Sequence, residues 1–242
     1  MTWFSRRAAG CLAAVAGLLL ATASPCLAQS GSDQRGMIRD PGQLVQSLRA
    51  GGYNIVVRHG ATFSNQADTD PFNFDNVARQ RNLNDKGKAL ARAFGDAIRR
   101  AGVPVGEVYT SKFNRAYETA VLAGFEDIEP TVDLTEGGLV VTPDENNRRA
   151  EAFRKMLAQA PDQGKNNFLI THKPNIVDAL GKDWFDVKEG EASIFKPNGG
   201  KYELVARMQM DEWPKLVAAS AKVKRFRPCR ACHRKSGYLR VD

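Results

Sequence analysis

Tyr53-Asn54-Ile55-Val56-Val57-Arg58-His59-Gly60-Ala61-Thr62 is the stretch on which the reading of this 242-residue chain turns. Gly51-Gly52 precedes it, β-branched Ile55, Val56 and Val57 fill its centre, and Arg58-His59-Gly60 closes it. A short apolar run fenced by glycines reads as a strand buried on both faces. Such strands belong to parallel sheets covered by helices, and sites in those sheets form outside the carboxyl ends of the strands. The Arg-His pair stands at such an end.

Working outward, the same alternation continues. Pro41 to Ala50 reads as a helix with Pro near its start. Thr62 to Arg81 is a long polar stretch, the kind of loop that serves as a lid or a binding segment. Asn84 is placed to cap a helix running to about Arg100, closed by Gly102, with Leu90, Phe94, Ala97 and Ile98 on one face. Glu107 to Thr110 reads as a strand, Arg115 to Ala123 as a helix and Pro130 to Leu134 as a strand. Thr142-Pro143-Asp144-Glu145 has the form of a capping box opening a helix that carries Phe153, Met156 and Leu157. Asn167 to Thr171 is a further strand, followed by a short helix to Leu180. Ala192 to Phe195 and Tyr202 to Ala206 pair around Asn198-Gly199-Gly200, and a last helix starts at Asp211. The expected fold is an α/β three-layer sandwich, a mostly parallel central sheet with helices on both faces.

The ends read differently. Arg6-Arg7, an uncharged Ala/Leu run to Ala23, Pro25 and small residues before Gln29 make residues 1–28 a secretory signal peptide. Residues 29–40 read as a linker, 41–221 as the domain and 222–242 as a basic tail. The chain holds 35 Lys+Arg against 27 Asp+Glu, and eight of the basic residues lie in the tail, so the body is close to neutral. A basic tail can hold nucleic acid or an anionic membrane surface, but a solvated terminus is the plainer reading, so no nucleic acid is expected as a partner. A periplasmic or secreted location is expected, with no membrane span after signal cleavage. Of the four cysteines, Cys11 and Cys26 fall in the signal and Cys229 and Cys232 in the tail, so no disulfide framework supports the body. Cys229-Arg230-Ala231-Cys232-His233 matches the form used for c-type haem attachment. A short, strongly basic tail cannot bury a haem, so a disulfide, a metal-binding pair or an incidental extension are its other readings.

The body has two histidines, His59 and His172, each at a strand's carboxyl end, and Arg58 and Arg115 accompany them. Two imidazoles and two guanidiniums, with no thiol and no metal-ligand spacing, suit phosphoryl transfer. Histidine is a nucleophile toward phosphorus, and arginine forks match phosphate oxygens. No cofactor is expected.

These segments resemble the histidine phosphatase superfamily, with its phosphoglycerate-mutase-like fold. Ile55 to Thr62 is similar to the family's opening signature. Leu83-Asn84-Asp85-Lys86-Gly87-Lys88-Ala89 is similar to the lead into its first long helix. Val108 to Ala116 with Thr119-Ala120 resembles its second arginine motif, and Leu169-Ile170-Thr171-His172 its second-histidine motif. The resemblance covers roughly Tyr53 to Ala206. It implies that His59 attacks phosphorus, that Arg58 and Arg115 clamp the phosphate, that His172 hydrogen-bonds it, and that Thr62 and Asn65 contact substrate. It also implies a carboxyl acid between the second arginine motif and the second histidine motif. Glu136 and Glu145 both fit, and Glu145, at the loop-to-helix position, is the residue chosen. Lys173 departs from the family's usual small residue. The Gly190 to Pro197 segment looks like that of exported phosphatases, including lipopolysaccharide core heptose phosphatases. The expected protein is therefore an exported phosphohydrolase for a phosphorylated small molecule or phosphosugar, working through a phosphohistidine without metal. A catalytically weak phosphate-binding module of the same fold is the alternative.

Overall fold

The computed structural model of the chain describes residues 37–137 and 140–225. The signal, most of the linker, the tail beyond Arg225 and all four cysteines lie outside the described residues. Six helices and six strands alternate through the rest. They are α1 (Pro41–Ala50), β1 (Asn54–Arg58), α2 (Asp85–Ala101), β2 (Val105–Ser111), α3 (Asn114–Leu122), β3 (Ile128–Thr131), α4 (Pro143–Ala158), β4 (Asn166–Thr171), α5 (Lys173–Leu180), β5 (Glu191–Asn198), β6 (Lys201–Gln209) and α6 (Trp213–Arg225). The strands form one sheet in the order β3-β2-β4-β1-β5-β6. The first four run parallel, and β5 and β6 are antiparallel additions at the β1 edge. No helix among the described residues is long and apolar enough to cross a membrane.

The β1 sequence explains why it is central. Ile55 and Val57 face one core, with Phe94, Phe168, Ile170 and Trp213. Val56 faces the other, with Phe153, Leu157, Leu169 and Phe195. A strand whose alternate residues feed two cores must be apolar at every position, which is what Ile-Val-Val supplies. Helices α1, α2, α3 and α6 cover the first face, and α4 and α5 cover the second.

The expected caps are in place. Asn84 accepts a hydrogen bond from the Gly87 amide, and Gly102 ends α2 in the left-handed region at φ 71°. Thr142 accepts from the Glu145 amide at 3.2 Å, and Pro143 opens α4. Three boundaries differ from the sequence reading. The third strand lies at Ile128–Thr131, and Val132–Leu134 form a 3-10 turn capped by the Thr131 side chain instead of continuing the strand. The described end of the linker is tied down: the Ile38 amide donates to the Val205 carbonyl at 2.8 Å, and Asp40 caps α1. Helix α6 continues to Arg225, past the expected start of the tail at 222.

Two glycines set how closely helices approach the site. A Cβ on Gly87 would lie 2.1 Å from the Ala61 carbonyl oxygen, and one on Gly95 would lie 1.8 Å from the Ala123 carbonyl oxygen. The first contact packs the start of α2 against the loop after His59. The second packs α2 against the end of α3. Both obstacles are backbone, so neither can yield by a rotamer change. Overpacking of this kind costs about 1–3 kcal/mol. Gly95→Ala is therefore expected to lower the unfolding free energy by about 3 kcal/mol, read from the urea midpoint. A loss of only a few tenths would show that α2 and α3 are not in this contact.

Candidate active site

Three strand ends meet: β1 delivers Arg58 and His59, β2 leads through Ser111 to Arg115 in the first turn of α3, and β4 delivers His172 ahead of α5. The His59 amide donates to the Thr171 carbonyl at 3.1 Å, which joins the first and third of these ends. The two imidazole centroids are 5.1 Å apart. Both rings are buried, at 1% and 0% exposure.

His59 Nδ1 lies 2.8 Å from the carbonyl oxygen of Gly60. A carbonyl can only accept, so Nδ1 carries the proton and Nε2 keeps its lone pair. Burial, then the neighbouring Arg115 guanidinium, hold the imidazole well below its ordinary value of 6.5, so the ring is neutral. His172 is depressed in the same way by burial and Arg115. Its Nδ1 accepts from Arg115 Nε at 3.2 Å, which places its proton on Nε2, 2.6 Å from Ser111 Oγ. Ser111 Oγ in turn lies 3.2 Å from Thr135 Oγ1.

Arg115 is fully buried, and all three of its nitrogens are engaged. Besides His172, it donates to Asp68 Oδ1 at 2.9 Å, to the Arg81 carbonyl at 3.4 Å and to Glu136 Oε1. Its guanidinium lies over the Phe113 ring, 4.5 Å from the centroid. Arg58 is anchored through the Val187 carbonyl at 2.7 Å and faces Glu189 at 3.8 Å, while its buried Nε has no partner among the described residues. An unpaired buried guanidinium N–H beside a neutral histidine suits an oxyanion.

The structure brings together Arg58, His59, Arg115 and His172. Thr62 is close by, its hydroxyl donating to Glu189 at 2.7 Å. Asn65 is exposed in the turn after it. Glu145 is not brought into the cluster. Its carboxylate is held by Arg148 and Arg149, at 2.8 Å and 2.7 Å, and those two guanidiniums keep it down to about 2. A carboxyl so ionised has no proton to give near neutral pH. Glu136, the other candidate, bonds Arg115 and stands 3.6 Å from His172 Nδ1.

Sequence reasoning does not single out Asp68, Arg81, Ser111 or Glu189. Arg81 adds positive charge that acts on His59, His172 and Arg58. Asp68 comes from the long loop, where the run Asp68-Thr69-Asp70-Pro71 is the only hint. Ser111 is visible as the first residue after a strand core. Among the described residues, no three His, Cys, Asp or Glu side chains could hold a metal ion together.

Comparison of the sequence with curated proteins gives no match. Among solved structures, the chain is similar to a protein histidine phosphatase SixA complexed with tungstate (17% identity, 66% of this chain and 98% of that one, TM-score 0.45). It is similar to YhfR of Bacillus stearothermophilus (17%, 63% and 94%, TM-score 0.47). It is also similar to TTHB049 of Thermus thermophilus (21%, 65% and 99%, TM-score 0.45). At these values the likenesses carry no argument about activity. The family model for the histidine phosphatase superfamily (branch 1) matches residues 55–165, the span that holds His59 and Arg115. With that match, residues 55–165 belong to the histidine phosphatase superfamily, and the match supports a phosphatase of the histidine type.

Proposed function

We propose that this protein is an exported phosphohydrolase that removes a phosphoryl group through a phosphohistidine on His59 and needs no metal. The single observation that carries the reading is the Nδ1-to-Gly60 hydrogen bond on a buried, neutral His59, which leaves Nε2 free to attack. The export part rests on residues 1–28 alone.

The steps follow from the groups present. A phosphomonoester enters with its oxygens toward Arg58 and Arg115, and the Nε2–H of His172 passes from Ser111 Oγ to one of them. Bidentate guanidinium contacts and the positive first turn of α3 balance the equatorial charge without a cation. His59 Nε2 forms a bond to phosphorus as the bond to the leaving oxygen breaks. The phosphate takes over the Arg115 N–H groups that now bond Glu136; the released carboxylate takes up the proton of the monoanionic ester and passes it to the leaving oxygen. Glu136 then takes a proton from water as the water oxygen attacks phosphorus. The N–P bond breaks, its electron pair returns to Nε2, and inorganic phosphate leaves. Phosphorylated small molecules and phosphosugars are the substrate class this reading supports.

With p-nitrophenyl phosphate, turnover is expected to survive EDTA and to vanish in His59→Ala. Turnover that persists in that variant would put the nucleophile elsewhere. Glu136→Gln should lower kcat by about 100-fold or more, the usual contribution of a general acid, whereas Glu145→Gln should stay within roughly twofold. The reverse ranking would restore Glu145 as the acid.

The pH dependence has a definite sign. Because His59 is depressed, the nucleophile stays unprotonated well below 6.5. The rate of phosphoenzyme formation should therefore show no loss between about pH 7.5 and about pH 6 in rapid-quench experiments. Stability moves the other way. Below 6.5 the unfolded chain binds protons that the buried rings refuse, so unfolding becomes easier as acid is added, and His59→Gln should weaken that slope.

A further inference from the structure

The two clamp arginines come with anions of their own. Arg115 holds Asp68 and Glu136, and Arg58 faces Glu189. Two guanidiniums that carry three carboxylates orient a phosphoryl group well but bring little net positive charge to it. Release of Glu136 to the proton relay still leaves Asp68 and Glu189 in place. The balance calls for a further cation at the pocket, one without a carboxylate of its own.

Arg81 meets that description. It stands where the long loop after β1 returns to pair Leu83 with Thr62. Its main chain is fixed on the catalytic arginine from both sides. The Arg81 amide donates to Asp68 Oδ1 at 2.9 Å, the same oxygen that Arg115 Nη1 holds, and the Arg81 carbonyl accepts from Arg115 Nη1 at 3.4 Å. The residue is partly buried, neither sealed in the core nor spread on the surface. Among the described residues, its guanidinium has no hydrogen bond and no carboxylate partner. Its charge nevertheless acts on Arg58, His59 and His172, and it lowers all three. Those residues come from the ends of β1 and β4 and meet only at the phosphate pocket, so a cation felt by all of them lies at that pocket.

We propose that Arg81 is a further catalytic residue, a phosphate-binding arginine beside Arg58 and Arg115 that donates its N–H groups to a non-bridging phosphoryl oxygen during transfer to and from His59. The proposal rests on the phosphohydrolase reading and extends it. Arg58 and Arg115 orient the group. Arg81 arrives without a counter-ion and supplies net charge where charge develops in the transition state. Because its main chain is already bonded to Asp68 and Arg115, the side chain starts from a fixed point, and no internal ion pair has to break before it meets phosphate.

Arg81→Ala in the full chain is expected to lower kcat/KM for p-nitrophenyl phosphate about 100-fold, the size of one lost oxyanion contact. Added guanidinium, below denaturing concentration, should restore part of that loss, and Arg81→Lys should fall between Arg81→Ala and the wild type. A side chain that only shaped the loop would show neither effect, since the loop is held through the Arg81 amide and carbonyl, which every substitution tested keeps. Arg79→Ala, at an exposed position of the same loop, should keep full turnover. Titration calorimetry with inorganic phosphate separates this proposal from the phosphohydrolase reading. Arg81→Ala should weaken phosphate binding about tenfold or more, whether or not the wild type hydrolyses an ester. Wild-type protein that binds phosphate but turns nothing over would overturn the hydrolase reading, and the titration alone would then decide the role of Arg81. Phosphate binding that is absent from the wild type or unchanged in Arg81→Ala, or a loss of turnover that neither guanidinium nor lysine relieves, would overturn the proposal.

Discussion

The buried guanidinium of Arg115 is the constraint around which the catalytic end of this molecule is organised. An arginine taken fully out of water must find partners for its N–H groups, and an unpaired one costs several kcal/mol. The partners come from separate parts of the chain: His172 from the end of β4, Asp68 and the Arg81 carbonyl from the long loop, and Glu136 from the segment after β3. One charge thus ties these segments to the start of α3. The position of the loop, the tautomer of His172 and part of the depression of both histidines follow from it.

A site built this way is loaded before substrate arrives. Asp68 and Glu136 hold Arg115 as an incoming phosphate would hold it, by charged hydrogen bonds to the same terminal nitrogens. Substrate binding is therefore an exchange of anions at a fixed cation rather than the neutralisation of a bare one. Exchange lowers the net gain in binding and, in the mechanism proposed above, releases the Glu136 carboxyl at the moment the ester occupies the site. In that mechanism, substrate affinity and the supply of the proton are coupled through a single guanidinium.

Much of this is legible in the sequence because it depends on local rules. Ile55-Val56-Val57 has to be a doubly covered strand, and Arg58-His59 has to stand where that strand leaves the sheet. Asn84, Gly102 and Thr142-Pro143 announce the helix ends by capping chemistry. The partners of Arg115 are not legible, because Asp68 and Glu136 meet it only through loops whose course no periodicity fixes. Glu145 shows the opposite case. Its position beside Thr142 is the local sign of a capping box, and Arg148 and Arg149, one turn along α4, claim its carboxylate. The i, i+3 and i, i+4 spacing that explains this is present in the sequence, and it points away from catalysis.

The same α4 links the two ends of the sheet. Its first turns are tied to the active-site segment, since Arg149 donates to the Thr135 carbonyl at 2.9 Å, one residue before Glu136. Its last turn is held by the buried Asn54 carboxamide at the start of β1, four residues before Arg58. Asp133, within the 3-10 turn that leads to Thr135, reaches α4 through Arg148. Thr135 Oγ1 then meets Ser111 and the Lys112 amide, and Ser111 fixes His172. Every link in that path is a hydrogen bond or ion pair made by a named side chain. The short turn from Thr131 to Glu136 is therefore set by charges at both ends of the sheet, and the placement of Glu136 depends on residues far from Arg115.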